Sequence, residues 1–248
     1  GSLSETLVQR PELIHEQLLR RGPPDLLEIA AVHGAPPLHW LAERPDPETF
    51  VSALRTARAS LEVAVGIVTV AGDLEQSDAE TLLTATAEAQ IDRALAYALG
   101  EQTERFGPPP DSAGLVILGL GKLGGRELGF GGDLDLVFVY RGAGETTPPA
   151  GDRALSVAEL YTRVAQRTLR LLDGYRTDAR LRPSGDQGML VTSLDAFDRY
   201  HTGRAAPWER QALTRARPVA GSATLAADAT VVITRHAFRR GAPAASEV

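Results

Sequence analysis

No helix runs through three consecutive prolines, because each lacks an amide donor and crowds the turn before it. Pro108-Pro109-Pro110 therefore divides this 248-residue chain into two textures. The first is helical. Arg10-Pro11-Glu12-Leu13 opens a short helix with Leu13, Ile14, Leu18 and Leu19 on one side. Pro45-Asp46-Pro47 marks another entry, and Phe50, Leu54, Leu61, Val65 and Val68 follow at near-helical spacing. Ser77-Asp78-Ala79-Glu80 has the form of a capping box, with Leu83, Ala87, Ile91, Leu95 and Leu99 at every fourth position behind it. Past the prolines, the apolar run Leu115-Val116-Ile117-Leu118 predicts a buried strand, and the alternation of Leu134, Leu136, Phe138 and Tyr140 predicts a second. Between them lies a glycine-rich segment, 119–132. Residues 142–153 read as a mobile loop. Ser156-Val157-Ala158-Glu159 is a second capping box, opening a helix that carries Tyr161, Ala165, Leu169 and Leu172 on one face and stops at Gly174. Residues 175–182 and 189–192 read as further strands, joined by 183–188. From Ser193 the pattern is helical, with Trp208 opening one helix and Leu225 inside another; 242–248 reads as a frayed tail. The expected class is α+β: a helical N-terminal subdomain over 1–110, then a small sheet with a crossing helix and a helical C-terminal segment over 111–248.

Composition removes several functions. With no cysteine, disulfides, thiolate zinc sites and cysteine nucleophiles are excluded. The five histidines show no ligand spacing. A net charge of −6 argues against a nucleic-acid partner, since phosphate backbones select basic surfaces. No apolar run reaches the length of a membrane span. Gly1-Ser2-Leu3 lacks the basic and apolar regions of a signal peptide, so the expected location is cytoplasmic.

The chemistry concentrates in Gly131-Gly132-Asp133-Leu134-Asp135-Leu136. On a strand, residues two apart share a face, so Asp133 and Asp135 project together while the leucines enter the core. Neighbouring carboxylates repel unless a cation lies between them, and an oxygen set of this kind suits Mg²⁺ with substrate phosphates. The alternative is a half-buried strand with two aspartates facing water. Gly131 and Gly132 let the backbone approach a ligand, and successive amides can cradle a phosphate. Read as a strand, 175–182 puts Arg176, Asp178, Arg180 and Arg182 on one face. Asp178 is then a second-cation ligand or a general base, and Arg180 and Arg182 are phosphate holders or ordinary surface ion pairs. Gly121 and Lys122 suggest a phosphate loop, yet Leu123 stands where that motif needs Ser or Thr. Gly119, Gly121 and Gly124 fit a dinucleotide fingerprint, but Asp133 follows too soon for its ribose carboxylate.

Gly121-Lys122-Leu123-Gly124-Gly125-Arg126-Glu127-Leu128 followed by Gly132-Asp133-Leu134-Asp135-Leu136 resembles the signature of the glutamine synthetase adenylyltransferases, members of the DNA polymerase beta-like nucleotidyltransferase superfamily. Asp178-Ala179-Arg180-Leu181-Arg182-Pro183-Ser184-Gly185 resembles their second motif, and Trp208-Glu209-Arg210-Gln211-Ala212-Leu213-Thr214-Arg215-Ala216-Arg217 a third. The resemblance implies Asp133, Asp135 and Asp178 as metal-binding catalytic carboxylates, with Mg²⁺ as cofactor and ATP as substrate. It implies a nucleotide site including Gly121, Lys122, Gly131, Gly132, Arg180 and Arg182, and AMP transfer to a tyrosine of glutamine synthetase in nitrogen regulation. A PII-type signalling protein is a further implied partner. The family carries two catalytic halves, and this chain resembles the C-terminal, adenylylating one; a phosphorolytic deadenylylase and a silent nucleotide-binding module are the alternatives. Gly132 stands where the family usually has Ser, so backbone amides replace a hydroxyl there. The stretch before Asp178 is short, and the family's following helical domain is expected to be missing.

Overall fold

The structure, a computed structural model, describes residues 45–149, 153–183 and 188–238; the helix read near residues 10–19, the turn at 184–187 and the tail lie outside the described residues. Helix α1 (Pro47–Ala71) begins as expected: Asp46 accepts from the amides of Glu48 and Thr49, Pro47 fills the first turn, and left-handed Gly72 ends it. Helix α2 (Gln76–Phe106) departs from expectation at its start. It begins one residue before Ser77, with Glu75 at the cap and no side-chain cap bond, so Ser77-Glu80 is not a capping box. Ser77 is already helical, its carbonyl accepting from the Thr81 hydroxyl.

The sheet is built from β1 (Gly114–Gly119), β2 (Leu134–Arg141), β3 (Thr177–Asp178), β4 (Val191–Ser193) and β5 (Arg217–Gly221). Its order is β3-β2-β1-β5, and β4 pairs with β2 further along the same edge as β3. β1 runs antiparallel to both neighbours, with a bulge between Ile117 and Leu118 opposite β5, while β3 and β4 lie parallel to β2. Short helix α3 (Gly121–Gly125) follows β1, and α4 (Val157–Leu171) crosses from β2 towards β3, opened by the predicted Ser156/Glu159 capping box. Beyond β4 come α5 (Leu194–Gly203), α6 (Pro207–Ala212), a 3₁₀ turn (Leu213–Arg215) and, after β5, α7 (Ala223–Ala237).

Alternation along β1 and β2 sorts the core into two layers. Ile117, Leu134, Leu136 and Phe138 pack with Ile91 and Leu95 of α2 and Leu160 and Val164 of α4. Val116, Leu118, Val137 and Val139 pack on the opposite face with Phe197 of α5 and Leu225 and Ile233 of α7. The first of these clusters also takes in Phe50 and Leu54, so the helices before the prolines and the sheet after them share one core.

Three further expectations change. Residues 175–182 do not form one long strand: only Thr177 and Asp178 pair, because the Asp178 carboxylate accepts from the Arg180 amide at 2.8 Å and turns the chain away. The region after Ser193 is not wholly helical, since β5 lies within it. Residues 142–149 are tied down rather than loose, with Thr146 N donating to Leu155 O, Leu155 N to the Thr146 hydroxyl, and Thr147 N to Pro108 O.

Candidate functional site

The site forms where β2 enters the sheet. In the parallel pairing of β2 and β3, Leu134 stands beside Thr177 and Asp135 beside Asp178. Paired residues of neighbouring strands project from the same face, so these two carboxylates are brought side by side. Asp133 lies just before β2. A further bond, from Leu134 N to Arg176 O at 2.8 Å, extends the β2/β3 ladder by one residue.

The three carboxylates differ in environment. Asp133 is exposed and its Oδ1 meets Arg176 Nε at 2.7 Å. Asp178 is clasped by its neighbour, with Arg180 Nε 3.0 Å from both carboxylate oxygens. That hydrogen bonding holds its carboxyl below the ordinary carboxylate range. Asp135 moves the other way: burial pushes its pKa up, and the charges of Asp178 and Asp133 add to the shift. No three His, Asp or Glu side chains among the described residues converge closely enough to hold an ion. Both arginine side chains are largely exposed, and such pairs are weak and easily exchanged. Asp133, Arg176, Thr177, Asp178, Ala179 and Arg180 line an open cleft of about 310 Å³.

The glycines fit this geometry at two points. Gly121 has φ +54°, and a Cβ there would collide with Asp135 Oδ2, so the carboxylate rests directly against the backbone. Gly131, at φ +65°, bends the chain into Asp133, and its carbonyl faces Arg176 Nη2 at 3.4 Å. Gly132 is packed differently: a Cβ would come within 2.8 Å of buried Leu128 Cδ1 and 3.0 Å of Gly129 O. Lys122 is exposed on α3.

Arg182 is turned away from the cleft. Its guanidinium donates to the Ala179 and Gly188 carbonyls and so braces the turn after β3. Arg215 and Arg217 fix the glycine segment. Arg215 meets Glu127 at 2.7 Å. Arg217 donates to the carbonyls of Leu123 and Gly124 and pairs with Glu88 of α2. The Arg215 carbonyl packs so tightly on Gly124 that no Cβ fits. Thr84 of α2 completes the anchoring, its hydroxyl accepting from Leu128 N at 3.2 Å. Arg176 is the site member that sequence reasoning left out, although its alternation with Asp178 was the available signal.

The family model described as glutamate-ammonia ligase adenylyltransferase matches residues 2–231. Among curated proteins, the bifunctional glutamine synthetase adenylyltransferase/adenylyl-removing enzyme of Idiomarina loihiensis is 42% identical over 191 residues, covering 71% of this chain and 20% of its own length. The protein of the same description from Xanthomonas campestris pv. campestris (strain ATCC 33913) is 37% identical over 245 residues, covering 96% of this chain and 26% of its own length. The chain thus spans about a fifth to a quarter of the length of these relatives.

Proposed function

The chain belongs to the glutamate-ammonia ligase adenylyltransferase family, and from that premise we propose that it carries an adenylyltransferase site moving AMP from ATP to a tyrosine of glutamine synthetase. The observation that carries this reading is the register of β2 and β3, which sets Asp135 beside Asp178 with Asp133 adjoining. An all-oxygen set with one carboxyl raised by burial and by its two neighbours fits a hard dication, which relieves that repulsion. In this proposal Asp133, Asp135 and Asp178 hold Mg²⁺, and the ion supplies charge neutralisation for the triphosphate.

The chain's own residues do the rest by placement. Gly121 and Gly131 let the backbone lie against the nucleotide. Lys122, Gly132 and Arg180 complete the phosphate side, Arg180 leaving Asp178 for a phosphate oxygen of equal charge attraction. Arg182 supports this turn through its carbonyl contacts rather than by touching phosphate. Two roles were open to Asp178. Its place beside Asp135 in the β2/β3 register favours the ligand role. The tyrosine oxygen bonds to the α-phosphorus, the bond from that phosphorus to the bridging oxygen of the β-phosphate breaks, pyrophosphate leaves, and the hydroxyl proton passes to water. Positioning and electrostatics supply the acceleration.

The family resemblance adds a PII-type protein as regulatory partner, and the proposed location stays the cytoplasm. Among the described residues no helix is long and apolar enough to cross a membrane.

The curated relatives are described as both transferring and removing enzymes, so the direction is tested with both assays. Incubation with α-labelled ATP, Mg²⁺ and glutamine synthetase is expected to label the synthetase. Incubation with adenylylated synthetase and phosphate is expected to release no ADP. ADP release without labelling would replace the transferase reading with the deadenylylase one, and neither product from a folded chain that binds ATP would leave the silent module.

A further inference from the structure

One charged cluster lies outside the cleft yet touches the segment that forms it. Arg58 and Glu62, one turn apart on α1, pair at 2.8 Å with both side chains about nine-tenths buried. A buried ion pair recovers its desolvation cost poorly, so by itself it is weak evidence for a stabilising role. This one reaches further. The Arg58 guanidinium donates to the carbonyl of Gly174 and lies over the Tyr175 ring, 3.9 Å from its centre. Tyr175 is followed at once by Arg176, whose carbonyl accepts from Leu134 N, and then by the two residues of β3.

The contact is needed because β3 is only two residues long. Two ladder pairs hold a strand weakly, and the Asx turn at Asp178 ends it at once. Arg58, Glu62 and Tyr175 also line one small space with Leu128, Gly129 and Gly132, so the same contacts back the glycine turn that delivers Asp133. Arg55, one turn earlier on α1, meets Asp173 at 3.8 Å with both side chains mostly exposed, and contributes little.

We propose that Arg58 is a positioning residue that, through Gly174 and Tyr175, holds β3 in register with β2 and so keeps Asp178 beside Asp135. Its kinetic consequence rests on the transferase reading above; its structural consequence does not. Arg58 acts on no substrate directly. Replacing it loosens the 174–178 segment, misplaces one carboxylate, and lowers the rate of the chemical step more than it changes ATP binding.

The test compares Arg58→Met, Arg58→Lys, Arg58→Met/Glu62→Leu and Tyr175→Leu with Arg55→Met as the control. The double variant avoids stranding a buried Glu62, so the question stays answerable if Arg58→Met fails to fold. Amide hydrogen exchange at residues 176–178 is read first, since it needs no activity; it is expected to speed up in the double variant and in Tyr175→Leu, and not in Arg55→Met. Label transfer is read second. Misplacing one carboxylate by about 1 Å is expected to lower kcat about 10- to 100-fold with the KM for ATP within about threefold, Arg58→Lys recovering part of the loss. Unchanged exchange at 176–178 in folded variants overturns the proposal, as does faster exchange with a wild-type kcat. Should the unaltered chain transfer no label, the transferase reading fails, and the exchange measurement alone decides whether Arg58 positions β3.

Discussion

Two residues carry sharp expectations. Gly121 combines a left-handed backbone with Asp135 Oδ2 pressed against it. Gly121→Ala therefore costs about 1 kcal/mol in backbone strain alone. It also displaces Asp135, so label transfer falls by more than the loss of folded protein explains; denaturant midpoints and rates measured on one preparation check this. His201 is 3% exposed, and neither of its ring nitrogens has a hydrogen-bond partner. Burial lowers its pKa from 6.5 to about 4, with His236 and Arg210 acting in the same direction and Asp198 against it. A depressed histidine is protonated first in the unfolded chain. Stability is therefore lost as pH falls from 6.5 towards 4, by of order 2 kcal/mol. In His201→Phe, urea midpoints across this window are expected to fall less steeply than in the unaltered chain. An equal slope would remove His201 as the cause.

At the level of elements, the glycine segment is held from outside. Arg217 donates to two carbonyls of α3 and pairs with Glu88, so Arg217→Met removes all three contacts, Leu123 O keeping only the Arg126 amide of these partners, and is expected to cost about 2 kcal/mol by urea denaturation. A loss below about 0.5 kcal/mol would mean the arginine behaves as an ordinary surface charge. The same elements show what sequence can and cannot reveal. β1 was legible as a continuous apolar run, β2 through the alternation of Leu134, Leu136, Phe138 and Tyr140, and the Ser156 cap because its bonds are local. β5 was not: Pro218 and Gly221 disfavour a strand, and both are tolerated because β5 is an edge with a bulge. β3 was read too long because alternation of charged residues cannot show an Asx turn that ends pairing. In the site, spacing singled out Asp133 and Asp135, but Asp133 lies just before β2 rather than on it. The juxtaposition of Asp135 with Asp178 depends on a parallel register across the α4 crossover, which residue periodicity does not encode. Arg182 contacts carbonyls set by the turn after β3, partners that no sequence pattern shows.

For the whole molecule, the shared core matters most. Ile91 of α2 is fully buried among Leu115, Leu136 and Phe138 of the sheet cluster. Ile91→Ala is expected to cost about 2–5 kcal/mol and to move one cooperative transition seen alike by near- and far-ultraviolet circular dichroism. Two separated transitions would show that the helices before Pro108 unfold as an independent unit. A shared core also explains how residues as distant in sequence as Arg58, Thr84 and Arg217 converge on one glycine segment and one short strand. The helical layer sets the backbone on which the carboxylates meet. In the proposed function Asp133, Asp135 and Asp178 act together as one cation-dependent nucleotide site. The most direct measurement is label transfer from α-labelled ATP to glutamine synthetase by the unaltered chain and by Asp135→Asn, over a Mg²⁺ titration. Transfer is expected to rise with Mg²⁺ in the former and to be absent in a folded Asp135→Asn. Transfer by Asp135→Asn at the unaltered rate, or transfer indifferent to Mg²⁺, would contradict it.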